Sequence, residues 1–206
     1  SPMNFSDILQ SGDDNSAVVV QDTSTFQVSS DSLIDQSGNQ NIAEVMQVDD
    51  WQSSTINQSS DNNEAYVSQG DAALAVTDES YGNDSFIDQG GIGDHYAKVS
   101  QSGIFNSSTI LQIGQFQTAF ADQSGDGNSS LIDQSGDNQW AEVSQSGNDN
   151  LSDIFQSGSG HEAYVDQGGD NNSSLIDQSG SNNWASVTQS TSNNVSTVTQ
   201  SGSNNS

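Results

Sequence analysis

The side chains best suited to chemistry in this sequence are two histidines, His95 and His161, and the only basic residue, Lys98. An imidazole can act as a general acid or base, and it is a common metal ligand. Each histidine, however, stands six positions before a glutamine of a regular series, at a position that other segments fill with Asn or Gln. We therefore predict that both histidines replace an amide in a hydrogen-bonded row, that Lys98 is a solvated outer residue, and that the protein is not an enzyme.

Acidic residues in the predicted turns suggest a second kind of site. Calcium takes about 6–8 oxygen ligands, and the turns contain Asp13, Asp14, Asp61, Asp126, Asp137 and Asp170. The calcium-binding nonapeptide repeat has a shorter period and its own glycine-rich signature, to which Gly90–His95 is an isolated near-match. A calcium-stabilised secreted solenoid adhesin is therefore an alternative, while the favoured interpretation needs no metal and no cofactor.

The composition excludes several classes of partner. The chain has 206 residues with 28 acidic and one basic side chain, which gives a formal net charge of −27. Nucleic acids and anionic membranes both require clustered Lys and Arg, so we expect neither as a partner. The absence of cysteine rules out disulfides and thiolate metal sites. Only 30% of the residues are hydrophobic, a balance typical of disorder unless a repeat orders the polar residues.

Such a repeat is present as a series of glutamines, in which each member usually stands eleven positions after the one before it. Most of the glutamines in the chain belong to the series. They are Gln10, Gln21, Gln36, Gln47, Gln58, Gln69, Gln89, Gln101, Gln112, Gln123, Gln134, Gln145, Gln156, Gln167, Gln178, Gln189 and Gln200. Four positions before each glutamine, Ser and Ala alternate without exception. Two positions before it, Ile marks the Ser units and Val the Ala units, apart from Ala121 and Val198.

The repeating unit therefore spans two steps of the glutamine series, about 22 residues, and has two unlike halves. Within each half, residue types alternate with a period of two, which is typical of a β-strand whose Ser or Ala, Ile or Val, and Gln share the inner face. A turn of the form Gln-x-Gly-x-x-Asn follows, in which glycine supplies the backbone conformation. We predict an all-β fold, a β-solenoid of about 8.5 coils, each with two strands and two turns, and with parallel in-register sheets.

Stacked coils place identical positions about 4.8 Å apart along the axis. Gln above Gln and Asn above Asn can then pair their side-chain amides, which matters because a buried amide without a partner costs roughly 1–3 kcal/mol. We predict that these amides form a structural ladder. Its members are all the glutamines of the series above and the turn asparagines Asn128, Asn150, Asn172, Asn183 and Asn194.

In-register stacking also brings like charges together. The residue just before each glutamine of the Ser strands is, in order, Leu9, Asp35, Asn57, Asp88, Leu111, Asp133, Phe155, Asp177 and Thr199. Aspartate occurs on every other coil only, which doubles the separation of the carboxylates to about 9.6 Å, near the Debye length in physiological salt. This pattern predicts stronger assembly at higher ionic strength.

Three steps of the glutamine series are longer than eleven residues, two of them by several residues and one by a single residue. The steps from Gln21 to Gln36 and from Gln69 to Gln89 are both clearly longer than the usual step. We predict loop insertions near residues 22–31 and 70–82 within a single domain of residues 1–206; the second could mimic an extra strand. The step from Gln89 to Gln101 is one residue longer than usual, which predicts a bulged turn.

The first and last predicted strands carry no helical cap, proline block or edge lysine. A soluble solenoid needs such protection, so we expect copies of the chain to stack end to end into a cross-β fibre. An ice-binding solenoid is a less favoured alternative, because the outward positions of the Ala strands show no regular threonine array. They hold aromatic residues instead, which could form a stripe for lateral bundling or adhesion.

These residues resemble the curlin repeat of curli, a bacterial extracellular amyloid. The family spacing, with Gly, Asn, Ala and Gln at two, five, seven and eleven positions after a Gln, is matched by Gln178, Gly180, Asn183, Ala185 and Gln189. It is matched with one amide exchange by Gln134, Gly136, Gln139, Ala141 and Gln145. The likeness extends over nearly the whole chain.

The resemblance implies the structural subunit of an extracellular amyloid fibre in the biofilm matrix of a Gram-negative bacterium. It also implies secretion in an unfolded state through an outer-membrane channel. The partners expected from it are copies of the chain itself and a nucleating minor subunit.

Overall fold

A computed structural model describes residues 4–22, 29–48, 51–70 and 82–206. Within them the fold is all-β, and no helical segment has the length and hydrophobicity needed to span a bilayer. The strands are β1 (Phe5–Gln10), β2 (Ser16–Asp22), β3 (Asp31–Gln36), β4 (Ile42–Val48), β5 (Ser53–Gln58), β6 (Glu64–Gln69), β7 (Asp84–Gly93), β8 (Tyr96–Gln101), β9 (Ser107–Gln115), β10 (Thr118–Gln123), β11 (Ser129–Asp137), β12 (Trp140–Gln145), β13 (Leu151–Ser159), β14 (Glu162–Gln167), β15 (Ser173–Ser181), β16 (Trp184–Gln189) and β17 (Val195–Ser203).

The strands form two parallel sheets that the chain visits alternately. The odd-numbered strands make a nine-stranded sheet and the even-numbered strands an eight-stranded sheet, each in sequence order. Every ladder glutamine lies in register with the glutamine of the next coil, as Gln134 does with Gln156 and Gln156 with Gln178. The predicted β-solenoid, with one coil per repeating unit and parallel in-register sheets, is confirmed, and it has about eight full coils.

The core lies between the two sheets and is thin. One stack of isoleucines, including Ile132 and Ile154, faces stacks of alanine and valine such as Ala141 and Val143, and all four of these residues are 0% exposed. The inner face also buries Ser and Gln in every interior coil. Because small residues keep the sheets close together, hydrophobic burial shares the stabilisation with hydrogen bonds between coils.

Many turns use left-handed backbone at two places, although glycine alone was expected to supply the turn conformation. Gly136, near the end of β11, has a φ of 121°, and Asn138, just after this strand, has a φ of 55°. At the position equivalent to Asn138, most other turns have Asn, Asp, Gln or Gly. Asn and Asp tolerate the left-handed region, and glycine lacks a Cβ. From β7 onward, the odd-numbered strands extend into this turn, because the turn residues also pair with those of the next coil.

The structure describes the bulged turn expected from the glutamine spacing, but not most of the two expected insertions. The register between β7 and β9 shifts between Gly91 and Gly93, so the predicted bulged turn is confirmed and Ile92 is the extra residue. The predicted insertions near 22–31 and 70–82, with the possible extra strand in the second, fall mainly on residues 23–28 and 71–81. Those residues lie outside the part of the chain that the structure describes.

Candidate functional site

The most regular polar feature of the molecule is a pair of glutamine ladders, one in each sheet. Each glutamine donates from Nε2 to Oε1 of the glutamine on the next coil. In the nine-stranded sheet, Gln112 donates to Gln134 at 3.0 Å and Gln134 donates to Gln156 at 2.9 Å. In the other sheet, Gln123 donates to Gln145 at 2.8 Å. The structure thus places the glutamines of the series in two continuous hydrogen-bonded rows.

Nearly every ladder glutamine also uses its second N–H group, a contact that the spacing of the series did not predict. Gln134 Nε2 donates to the backbone carbonyl of Thr118 at 3.1 Å, and Gln145 Nε2 donates to that of Ser129 at 3.0 Å. The acceptor is the first residue of the preceding strand, in the opposite sheet. Both N–H groups of a buried amide are therefore satisfied, and the ladders join the sheets to each other as well as the coils along the axis.

The turn asparagines bond in a different way from the one predicted. Asn128 Oδ1 accepts the backbone N–H of Asn150 at 3.0 Å, and Asn128 Nδ2 donates to the carbonyl oxygens of Ser124 and Gly147 at 3.1 and 2.7 Å. Direct pairing between asparagine amides occurs among the described residues only at Asn194 with Asn172 and Asn205 with Asn183. The prediction of an amide-to-amide ladder is therefore wrong for most asparagines, which instead accept from the main chain of the next coil.

The two histidines lie in the second row of turn amides, which precedes the even-numbered strands and includes Asn63 and Asn183. His95 and His161 are buried, and their Nε2 atoms lie 2.8 Å from Gly90 O and 3.1 Å from Ser157 O, so the proton is assigned to Nε2. His161 Nδ1 accepts the backbone N–H of Asn183 at 3.3 Å, as an asparagine Oδ1 would. His161 therefore takes the full hydrogen-bonding role of an asparagine, whereas His95 makes the Nε2 contact but its buried Nδ1 meets no partner among the described residues.

His95 supplies a pH-dependent prediction, because burial lowers the pKa of its imidazole. The stabilising neutral form is fully present above the unfolded-state value of about 6.5 and is lost as the pH falls below it. His95→Asn keeps the hydrogen-bonding position without the titrating group. Below about pH 6.5, we expect the free energy of unfolding of the parent to fall by up to about 1.4 kcal/mol per pH unit more than that of the variant. Urea unfolding of both chains at several pH values measures the difference, and parallel pH profiles would refute it.

The acidic turn residues also have partners within the solenoid. Asp126 Oδ1 accepts the backbone N–H of Ile104 at 3.1 Å, Asn148 Oδ1 accepts that of Asp126 at 2.9 Å, and Asp170 Oδ1 accepts that of Asn148 at 2.9 Å. Asp and Asn thus serve as interchangeable acceptors in one row. Across the described ranges, no group of three or more His, Cys, Asp or Glu side chains could hold a metal ion.

The outward aspartates of the nine-stranded sheet stack on uncharged neighbours. Asp133 lies between Leu111 and Phe155 in the register, and Asp88 lies between Asn57 and Leu111. Burial raises the pKa of the Asp88 and Asp133 carboxyls. A second aspartate on the adjacent coil would place two carboxylates about 4.8 Å apart, where repulsion between like charges adds to the cost of desolvation.

The outermost coils expose the residue types that inner coils bury. In β1, Ile8 is 42% exposed, whereas Ile132 at the equivalent position of an inner coil is 0% exposed. Within the described residues, β1 pairs only with β3 and β17 pairs only with β15. Each outer coil therefore presents unpaired main-chain groups beside part of the core.

Comparison with protein families gives a match to the curlin associated repeat at four overlapping positions, residues 118–147, 131–154, 147–180 and 180–206. These matches cover β10 to β17, so the resemblance to curlin repeats is confirmed for residues 118–206. No curated protein matches the chain.

Proposed function

We propose that this curlin-repeat β-solenoid is a structural subunit of an extracellular, curli-like amyloid fibre that assembles end to end. The observation that supports the proposal is that successive coils contact each other through the same kinds of interaction along the solenoid. The contact of one coil with the next consists of parallel strand pairing, a glutamine-to-glutamine hydrogen bond in each sheet and stacked Ile, Val and Ala. A second copy whose β1 pairs with β17 could form the same strand pairing and the same glutamine hydrogen bond in the nine-stranded sheet.

The energy available to such a joint can be estimated from the groups it would cover. Ile8 is 42% exposed, and covering an aliphatic side chain fully contributes about 1.5–3 kcal/mol, of which the exposed part would supply a share. The unpaired N–H and C=O groups along β1 and β17 would gain partners as they do between inner strands. Pairing of β17 with β1 of the next copy would also extend the glutamine ladder of the nine-stranded sheet by one step, since Gln10 and Gln200 lie at its two outer limits.

Secretion and the biological setting belong to the same proposal. Curlin repeats are associated with extracellular curli fibres, and that association supports a secreted protein of the Gram-negative biofilm matrix. Copies of the chain would be the main partner, with a nucleating minor subunit and an outer-membrane secretion channel as further partners. The geometry supports a purely structural role, because the ladder amides, the histidines and the turn aspartates described above are engaged in hydrogen bonds within the solenoid.

A charge placed in the joint tests the proposal. Val198 lies on the inner face of β17 and is half-buried, whereas Val195 in the same strand faces outward and is 81% exposed. In Val198→Lys, the ammonium group can reach water in the single chain, but a stacked copy would bury it without a partner at a cost of several kcal/mol. We expect the variant to fold and to elongate fibre seeds at least about ten times more slowly than the parent.

The matched control is Val195→Lys, which adds the same charge to the same strand outside the joint. We expect it to elongate seeds at close to the parental rate, followed by electron microscopy and light scattering. Equal elongation by both lysine variants would contradict an end-to-end joint at β17. A parent protein that stays monomeric in the presence of its own seeds would contradict the fibre proposal altogether.

A further inference from the structure

The outward face of the eight-stranded sheet carries one aromatic side chain on each strand from β6 to β16. The rings alternate between the positions five and three before the ladder glutamines, and so form a zigzag along the axis. The aromatic row consists of Tyr66, Tyr96, Phe120, Trp140, Tyr164 and Trp184. Ring centroids lie 5.7 Å apart for Tyr66 and Tyr96, 5.5 Å for Tyr96 and Phe120, and 5.1 Å for Phe120 and Trp140.

Carboxylates flank this row on both sides. The same face of β6 to β16 carries Glu64, Asp122, Glu142, Glu162 and Asp166, against the single ammonium group of Lys98. Tyr66 donates a hydrogen bond to Glu64 at 3.2 Å, and burial together with this carboxylate raises the pKa of Tyr66 to about 12. The face therefore combines aromatic surfaces with a negative potential, in a chain whose net charge is −27.

The pattern on this face repeats every second coil. Trp140 and Trp184 hold the same strand position two coils apart, as do Asp122 and Asp166. Two coils correspond to about 9.6 Å along the axis. This distance is close to the disaccharide repeat of an extended β-1,4-linked polysaccharide, in which each sugar ring turns over relative to the previous one.

One polar group on the face has no partner within the described residues. The indole Nε1 atom of Trp140 is shielded from solvent and meets no hydrogen-bond acceptor there. A depression of about 290 Å³ adjoins it, lined by Phe120, Asp122, Glu142, Lys98 and neighbouring residues. Trp140 is itself part of this lining, which combines aromatic faces with carboxylates and one ammonium group, and such a lining suits a ligand with apolar ring faces and polar substituents.

We infer that this face binds an extended polysaccharide that carries amino groups, of the β-1,4-linked glucosamine type. The aromatic row would support the apolar faces of successive sugar rings, the carboxylates would pair with ammonium groups, and these groups would also gain cation–π contacts. A second copy of the chain is a poorer occupant. Face-to-face packing would place the carboxylates of Asp122, Glu142 and Asp166 against those of the other copy.

Isothermal titration of the folded chain with a soluble glucosamine oligomer, at a pH where its amines are protonated, tests the inference. The fully N-acetylated oligomer serves as a neutral probe with the same backbone. We expect the Kd of the cationic oligomer to rise about ten-fold in Trp140→Ser/Trp184→Ser, which removes two aromatic surfaces. A comparable loss is expected for Asp122→Asn/Asp166→Asn.

Matched controls separate this face from general charge attraction. Trp51→Asn removes an exposed indole from a turn, and Asp133→Asn/Asp177→Asn removes two carboxylates from the opposite sheet. Neither control should change the Kd by more than about two-fold. Equal weakening by the controls, or equal affinity for both oligomers, would overturn the inference. So would lateral bundling of fibres that depends on Trp140 and Trp184 without oligomer binding, since the face would then join copies of the chain. Because binding is measured on single chains, its failure leaves the fibre proposal intact.

Discussion

Gly136→Ala is expected to destabilise the solenoid by about 4 kcal/mol, from strained backbone and overpacking together. Gly136 has a φ of 121°, a conformation that residues with a Cβ rarely adopt. A Cβ at this position would also overlap the backbone carbonyl of Gly158 on the next coil. Gly114, Gly136, Gly158, Gly180 and Gly202 form one column with the same close approach between successive coils. Neither neighbouring coil can move away without breaking strand pairing. The free energy of unfolding in urea gives the measurement.

Gly168→Ala is the matched control for this glycine. Its added Cβ would meet its nearest atoms, in Ser146 and Ser190, at 3.8 and 3.9 Å, an ordinary contact distance. We expect a change within about 1 kcal/mol, in either direction. Similar losses in the two variants would show that the column does not set the distance between coils.

Gln134→Leu is the second substitution with a large expected effect. Gln134 is fully buried, donates to Gln156 and to the carbonyl of Thr118, and accepts from Gln112. Leucine fills a similar volume but leaves the Gln156 and Thr118 oxygens without this donor and Gln112 without one acceptor. Since each unsatisfied buried group costs roughly 1–3 kcal/mol, we expect a loss of about 3 kcal/mol in unfolding free energy and slower fibre assembly.

Gln115→Leu provides the comparison for the ladder glutamine. Gln115 is the last residue of β9, is only half-buried and falls outside the ladder series. We expect this variant to unfold within about 0.5 kcal/mol of the parent, as surface substitutions usually do. If both glutamine variants unfolded at the same urea concentration, and assembled at the same rate, the ladder could not be a main stabilising element.

The contrast between Gln134 and Asn128 shows what could be predicted from the sequence. The regular step of the glutamine series, taken with its two alternating halves, identifies which positions stack within a sheet, so the in-register rows followed from the pattern alone. The spacing contains no information about the offset between the two sheets. The bond from Gln134 to Thr118 O was therefore missed, although nearly every ladder glutamine makes it at the same sequence separation.

The asparagine row was misread for a related reason. Asn128 and Asn150 do lie above each other, but the shorter asparagine side chain begins at the turn, where the main chain of the next coil comes within reach. Residue type therefore predicted that these side chains form hydrogen bonds between coils, and only the backbone conformation decided with which partner. The same holds for Asn138, whose left-handed φ of 55° has no signature beyond the tolerance of asparagine for that region.

X-ray fibre diffraction from aligned assemblies of the unmodified chain tests the central claim most directly, namely that coils stack in register along the fibre axis and that further copies continue the stack. The account predicts a sharp meridional reflection at about 4.8 Å, from the strand spacing, and an equatorial reflection near about 10 Å, from the two facing sheets. Assemblies whose strand-spacing reflection lies off the meridian, or is missing, would contradict it.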